Sequence, residues 1–280
     1  MSAWRPEWDE GAKKSSFGVG GMMGRGIGGG MVPFWTKRLL LANLAIFVLA
    51  FLLESSGAVG FTDALAVDST WWWLHSPHLP VWQLVTYGFL HVDISHILFN
   101  SLSLFFFGSM LERAIGARKF LVFYLAALVI GGLLHTIIGQ FGMFGGAVVG
   151  ASGAVMACIV AAALLFPNNQ VIFIVFPIPL WVMATGLVAI DLLSMTRYGT
   201  GVAHHVHIAG ALFGFFFIKN GWYRTDFIGV IEGQRAAKVV KSAAQDAAKL
   251  DTLLERIGRD GMSSLSNSEK EFLKRMSKRP

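Results

Sequence analysis

Long apolar runs, separated by short polar segments, dominate the pattern of hydrophobic and polar positions along the chain. A bilayer with a hydrocarbon core of about 30 Å requires about 20 apolar residues per helix. Six runs come close to that length, with approximate limits 39–57, 92–111, 118–139, 149–166, 171–194 and 203–219. The pattern therefore predicts an all-α membrane protein whose core, residues 37–219, is a bundle of six transmembrane helices.

The segments outside these runs differ in composition. Residues 1–36 are rich in glycine and carry basic side chains, which is typical of a flexible tail. Residues 58–90 hold four tryptophans, which favour the lipid headgroup layer, so we interpret this segment as an interfacial loop. Over residues 220–280, apolar positions recur at helical spacing, which predicts a helical cytoplasmic C-terminal tail. Ser266 and Glu269 carry the signature of a capping box that opens its last helix.

Composition narrows the class of protein. Hydrophobic residues make up 54% of the 280 residues and charged residues 14%, whereas soluble domains carry about 25% charge. An ordinary soluble enzyme is therefore excluded. The single cysteine, Cys158, lies inside an apolar run, so a disulfide framework is excluded as well. We interpret the net charge of +6 as basic cytoplasmic flanks rather than a nucleic-acid-binding surface.

The basic residues predict the orientation in the membrane. They precede the first run, separate the second from the third and follow the sixth: Lys37, Arg38, Arg113, Arg118, Lys119, Lys219 and Arg224. In the loops on the other side, the only Lys or Arg residue is Arg197. Because cytoplasmic loops carry the excess of Lys and Arg, both termini are expected in the cytoplasm. Six spans are consistent with this, because an even number returns the chain to its starting side. The expected location is a bacterial cytoplasmic membrane.

Polar side chains inside the apolar runs are candidate functional groups, because burying them in lipid is costly. His96 and Asn100 lie at i, i+4 on one face of the second helix, Ser152 opens the fourth helix and His207 opens the sixth. With both termini inside, these three helices begin at the outer surface. The four side chains should therefore meet in one layer near the outer face, where His96, Asn100 and the Ser152 backbone N–H are candidate donors to an oxyanion.

Small residues predict a close contact between the fourth and sixth helices. Gly153 heads a small-residue stripe on the fourth helix, and Gly210 and Gly214 form a GxxxG stripe on the sixth, a pattern that lets two backbones approach closely. That contact would bring Ser152 towards His207. A serine hydroxyl needs an adjacent base to act as a nucleophile, and histidine, with an ordinary pKa of about 6.5, suits that role.

Three motifs, in this order, resemble the rhomboid intramembrane proteases. They are HxxxN at His96–Asn100, GxSG at Gly150–Gly153 and HxxG at His207–Gly210, with Gly214 one turn further on. The resemblance covers about residues 37–219. Each motif alone is weak, but the ordered set on alternate helices is specific.

The resemblance implies a Ser–His dyad without a third, acidic member. Ser152 would be the nucleophile and His207 the general base, while His96, Asn100 and the Ser152 amide would form the oxyanion hole. Gly150 would allow the backbone to approach the scissile carbonyl. The resemblance also implies that transmembrane substrates reach the site from the lipid, beside the fifth helix.

Other polar residues near this set have less certain roles. Gln83 occupies a position where many rhomboid relatives carry arginine, so the anchoring of the first loop is expected to differ. We expect Asp191 to make a helix-capping or interhelical hydrogen bond rather than to serve as a third triad member. His91 and His135 are expected to make packing hydrogen bonds.

His204 and His205 add two imidazoles beside His207, and their role stays open at this point. A zinc site built from these three residues is disfavoured, because they would be near-consecutive ligands on one turn without an acidic motif such as HExxH. No metal and no cofactor is therefore expected.

The predicted function is an intramembrane serine endopeptidase that cleaves transmembrane segments of membrane-protein substrates through an acyl-enzyme. Two alternatives stay open: a catalytically inactive rhomboid-like protein that binds membrane clients, and a transporter. Inactive members lose the serine or the base, and both are present here; a transporter would more naturally carry intramembrane carboxylates and paired broken helices. The expected partners are transmembrane substrates and the lipid bilayer, and the pattern leaves the oligomeric state open.

Overall fold

The computed structural model describes residues 31–57, 60–74, 79–173, 176–195, 201–225 and 227–277. Most of the predicted N-terminal tail lies outside these ranges. The chain forms two compact units, residues 1–224 and 225–280. In chain order the helices of the first unit are α1 (Phe34–Ser55), α2 (Phe61–Leu65), α3 (Ser69–Leu74), α4 (Gln83–Thr86), α5 (Ile94–Ile115), α6 (Ala117–Gln140), α7 (Ser152–Leu165), α8 (Leu180–Ser194) and α9 (His204–Lys219).

Six of these helices, α1 and α5 to α9, lie where the apolar runs predict them. Among the described residues, α1, α5 and α6 are long and apolar enough to cross a membrane, and α7 and α8 are shorter apolar helices. The α5 helix contains a π-helical turn at Leu104–Gly108. The all-α membrane fold class is confirmed, and the number of spans stays a prediction.

The predicted start of the fifth helix at residue 171 is wrong. The strands β3 (Gln170–Phe173) and β4 (Phe176–Pro179) pair antiparallel there, and α8 begins only at Leu180. Pro177 and Pro179 explain the difference, because a proline inside a helix lacks the N–H donor and its ring clashes with the preceding turn. A second short pair joins β1 (Val67–Asp68) to β2 (Ala147–Val148).

The α7 helix lies at the centre of the first unit, since eleven of its fourteen residues are buried. It packs against α9 at backbone distance. A Cβ added to Gly210 would overlap the carbonyl oxygen of Gly153, and one added to Gly214 would lie 2.5 Å from the carbonyl oxygen of Ala157. The small-residue stripes therefore face each other, and this contact aligns the first turns of the two helices.

Two polar anchors hold the outer elements. The Glu112 carboxylate accepts hydrogen bonds from the backbone N–H groups of Trp35 and Thr36, at 2.9 and 2.7 Å, so it caps the start of α1. The Gln83 side chain, which stands at the position of the expected arginine, donates to the carbonyl of Ala64 at 3.3 Å. The predicted interfacial loop is therefore structured into α2, α3 and α4, with α4 tied to the end of α2.

The second unit is a helical pair, α10 (Phe227–Asp260) and α11 (Asn267–Met276). Leu253, Leu265 and Phe272 form its small core. The predicted capping box is present: the Ser266 hydroxyl accepts from the Glu269 backbone N–H, and the Glu269 carboxylate accepts from the Ser266 backbone N–H. These hydrogen bonds hold the pKa of Glu269 below its ordinary value.

Candidate active site

Ser152 and His207 meet between the first turns of α7 and α9. The distance from Ser152 Oγ to His207 Nε2 is 2.7 Å, which is short enough for a direct hydrogen bond. Ser152 is the first residue of α7, and His207 lies in the first turn of α9. The glycine contact between the two helices produces this approach, because a side chain at Gly210 would force the helices apart.

A carboxylate lies on the other side of the His207 ring. Asp191, in the last turn of α8, has its Oδ1 atom 3.0 Å from His207 Nδ1. A carboxylate only accepts hydrogen bonds, so Nδ1 must carry the proton and donate. The neutral imidazole then has a free lone pair on Nε2, facing Ser152. This is the tautomer that a general base for the serine requires.

The same carboxylate oxygen accepts a hydrogen bond from a second imidazole. His204 Nδ1 donates to Asp191 Oδ1 at 2.6 Å, so the expected interhelical hydrogen bond of Asp191 exists and its partners are two histidines. His204 and His207 lie one turn apart on α9, which places both rings on the face towards α8. The spacing of the two helix ends could have indicated this pairing: Asp191 is three residues from the end of α8, and His207 is three residues from the start of α9.

His205 points away from this group. Its Nε2 donates to His135 Nδ1 at 2.9 Å, and His135 Nε2 donates to the carbonyl of Gly146 at 2.9 Å. The ring of Phe144 stacks on His205, with centroids 4.7 Å apart. His135 and His205 therefore fasten the segment before Gly150 to the start of α9, which gives His135 the packing role that the sequence suggests.

The space beside Ser152 is bordered by Gly150 and His96. Gly150 has a φ of +121°, and a Cβ there would lie 2.7 Å from His96 Nε2 and 3.7 Å from Ser152 Oγ. The two side chains therefore border the position that a Cβ at Gly150 would occupy. His96 Nδ1 is buried without a partner among the described residues, and Nε2 is the ring nitrogen that borders the position above Gly150.

The other two candidate oxyanion donors are Asn100 and the Ser152 backbone N–H. Asn100 is buried on α5, and its Nδ2 donates to the carbonyl of His96 at 2.9 Å, which leaves one amide N–H. The Ser152 backbone N–H belongs to the first turn of α7, whose N–H groups have no partner within the helix. Asp93 caps α5 by accepting from the His96 backbone N–H at 2.8 Å, and hydrogen bonds from Ser95 and His96 hold its pKa below the ordinary value.

The ligand set considered for zinc is not formed, because His205 is directed to His135. Within the described residues, Asp191, His204 and His207 instead bring one ligand atom each within 4.8 Å of one another. Two imidazoles and a carboxylate are chemically suitable for zinc. In this structure, however, both Nδ1 atoms donate to the carboxylate, so each of these two nitrogens already has a partner.

Residues 78–224 match a family model described as the Rhomboid domain, which is more than half of the chain, and residues 239–279 match a family of unknown function, DUF6576. The chain is 30% identical over 187 residues to the rhomboid protease GluP of Bacillus subtilis, a match that covers 66% of this chain and 34% of GluP.

It is 27% identical over 178 residues to the rhomboid protease GlpG of Haemophilus influenzae, a match that covers 63% of this chain and 87% of GlpG. It is 31% identical over 144 residues to RHOMBOID-like protein 12, mitochondrial, of Arabidopsis thaliana, a match that covers 46% of this chain and 43% of the Arabidopsis protein. The matches thus cover about a third of GluP and less than half of the Arabidopsis protein.

Proposed function

The chain belongs to the rhomboid family, and we propose that it is an intramembrane serine endopeptidase that cleaves transmembrane segments of membrane proteins. Ser152 is the proposed nucleophile and His207 the proposed general base. The observation that carries the proposal is the 2.7 Å contact between Ser152 Oγ and His207 Nε2, with the other ring nitrogen committed as a donor.

In the proposed acylation step, the Ser152 hydroxyl transfers its proton to His207 Nε2 as Oγ bonds to the carbonyl carbon of the scissile peptide. His207 then gives that proton to the leaving amide nitrogen, and the peptide bond breaks. A water molecule repeats the sequence on the acyl-enzyme and releases Ser152. General acid–base transfer of this kind typically contributes about 10²- to 10⁴-fold in rate.

The position above Gly150, which His96 Nε2 and Ser152 Oγ border, suits the oxyanion formed during this reaction. His96 Nε2 borders it, Asn100 retains one amide N–H, and the first-turn N–H of Ser152 carries the positive end of the α7 dipole. Each such donor is typically worth about 10²- to 10³-fold in rate. His96, Asn100 and the Ser152 amide are therefore the proposed oxyanion donors.

The surface of α8 supports access of the substrate from the lipid. Only Leu180, Ala184 and Asp191 of this fifteen-residue helix are buried, while Trp181 and Ile190 are more than half exposed. A helix that buries so few side chains is more easily displaced than α7. We place the site near the outer face of a bacterial cytoplasmic membrane, with both termini in the cytoplasm.

Labelling with a fluorophosphonate tests this function. The purified, membrane-extracted protein should be labelled and should cleave a transmembrane model substrate, because the probe reacts only with an activated serine. Ser152→Ala should abolish both signals. Ser109→Ala, which alters another serine of the bundle, is the matched control and should behave as wild type.

Equal labelling of wild type and Ser152→Ala would contradict the assignment of the nucleophile. No labelling and no cleavage by folded wild-type protein would contradict the endopeptidase, and would favour the non-catalytic binding of membrane clients on the same fold.

A further inference from the structure

One buried carboxylate near the proposed base takes no part in the bond-making and bond-breaking steps described above. The side chain of Asp191 is 7% exposed, and the side chains of its partners His204 and His207 are 12% and 14% exposed. A charged group at this depth is costly unless it is paired. Its ion-pair partners among the described residues are these two histidines, both through Oδ1.

We propose that Asp191 is a positioning residue for His207, so that the site operates as a Ser–His–Asp triad with a second histidine, His204, orienting the carboxylate. The proposal rests on the proposed endopeptidase function and departs from the dyad that the family resemblance implies. It assigns His204 the role that the sequence leaves open.

The first argument for this role of Asp191 is that its position selects the tautomer of His207. Without an acceptor at Nδ1, the imidazole can place its proton on either nitrogen, and a proton on Nε2 would block the base. Asp191 Oδ1, 3.0 Å from Nδ1, selects the form with a proton on Nδ1 and a lone pair towards Ser152. In serine proteases of the Ser–His–Asp type, the loss of this selection costs about 10⁴-fold in kcat.

Charge supports the assignment second. When Ser152 gives its proton to Nε2, His207 becomes an imidazolium cation, and its Nδ1 proton stays in place. The negative carboxylate of Asp191 neutralises that cation at hydrogen-bond distance, and Asp191 itself remains unprotonated. Because the site is shielded from bulk water, this attraction is stronger than it would be in solution.

His204 restrains the carboxylate from the opposite side. Its Nδ1 donates to Asp191 Oδ1 at 2.6 Å, and its Nε2 is buried without a partner among the described residues. This contact holds the carboxylate in the orientation in which Oδ1 also reaches His207 Nδ1.

The test is Asp191→Asn, measured as kcat and KM on a transmembrane model substrate. The amide oxygen can still accept from both Nδ1 atoms, whereas the charge and the strict selection of the tautomer are lost. We expect kcat to fall about 10²- to 10⁴-fold with KM within about twofold, since the Asp191 carboxylate faces the two histidines on the side of His207 away from Ser152. Asp191→Glu, which keeps the charge, should retain more kcat than Asp191→Asn.

Glu54→Gln is the matched control. It removes one carboxylate that accepts from Thr62 at the end of α1, and its kcat should equal that of wild type. His204→Phe provides a second route if Asp191→Asn does not fold, because it leaves the carboxylate in place and should lower kcat with KM unchanged. A folded Asp191→Asn protein with the kcat of wild type would overturn the proposal. If only His204→Phe folds, a wild-type kcat in that variant would overturn it.

The two proposals fail differently. If Ser152→Ala remains active, the proposed endopeptidase mechanism is contradicted, and so is the triad that rests on it. If Ser152→Ala is inactive while folded Asp191→Asn turns over at the wild-type rate, the endopeptidase stands, and Asp191 is only an interhelical contact.

Discussion

Gly150 is the residue whose backbone most directly shapes the proposed oxyanion position. Its φ of +121° is a conformation that residues with a side chain rarely adopt. Its N–H donates to the carbonyl of Tyr87 at 2.9 Å, which holds the peptide in place. The absent Cβ leaves room between His96 Nε2 and Ser152 Oγ, where a substrate carbonyl oxygen would lie in the proposed mechanism.

We predict that Gly150→Ala lowers cleavage by about 10²-fold, comparable to the loss of one oxyanion donor. The new methyl group would lie 2.7 Å from His96 Nε2 and would have to displace that ring. Gly145→Ala is the matched control, because a Cβ there meets nothing within 4 Å. Cleavage assays on both variants decide the point, and wild-type activity in Gly150→Ala would contradict the proposed oxyanion position.

At the scale of elements, the α7–α9 contact sets the distance between Ser152 and His207. Gly210 faces the backbone of Gly153 so closely that a methyl group would overlap its carbonyl oxygen. Two packed helices can relieve such an overlap only by moving apart, and overpacking of this kind costs about 1–3 kcal/mol. The same movement would lengthen the contact between Ser152 Oγ and His207 Nε2.

Gly210→Ala should therefore lower both the thermal stability and the rate of cleavage, the latter by about 10²-fold for a displacement near 1 Å. Gly186→Ala, on the side of α8 where a Cβ meets nothing within 4 Å, should leave both unchanged. The readouts are thermal unfolding in detergent and fluorophosphonate labelling. A Gly210→Ala protein with the stability and labelling rate of wild type would refute the packing argument.

The elements also indicate how far sequence reasoning extends. Apolar length located the helix ends to within a few residues, except at the start of α8, and the Gly stripes predicted which two helices would meet. The hairpin before α8 was missed because hydropathy ignores backbone donors. Pro177 and Pro179 could have indicated that the helix does not extend over this segment. The pairing of Asp191 with His207 was undervalued because it depends on the alignment of two helix ends, which hydrophobic periodicity does not encode.

At the scale of the whole molecule, the apolar surface agrees with a membrane setting. On α1, 17% of the most apolar stretch is buried, and Leu41, Leu44 and Phe51 are more than half exposed. In water such a surface would be a large aggregation-prone patch. In a bilayer it contacts lipid chains, so the fold depends on its surroundings as well as on its core.

The first unit ends with contacts that tie residues 220–224 to the bundle. Lys119 Nζ, at the start of α6, donates to the carbonyl of Tyr223 at 3.0 Å. The ring of Trp222 packs edge-on against Phe217, with centroids 6.4 Å apart. These contacts belong to the first unit, whereas α10 and α11 have a core of their own.

This division predicts that residues 225–280 are dispensable for the proposed chemistry. A chain ending at Arg224 keeps the contacts of Tyr223 and Trp222, together with every residue proposed for the site, so its kcat and labelling rate should match those of the full chain. A chain ending at Lys219 loses both contacts and should unfold at a lower temperature. Cleavage assays and thermal unfolding of the two truncations measure this. If the folded chain ending at Arg224 were inactive, the second unit would have to support catalysis directly.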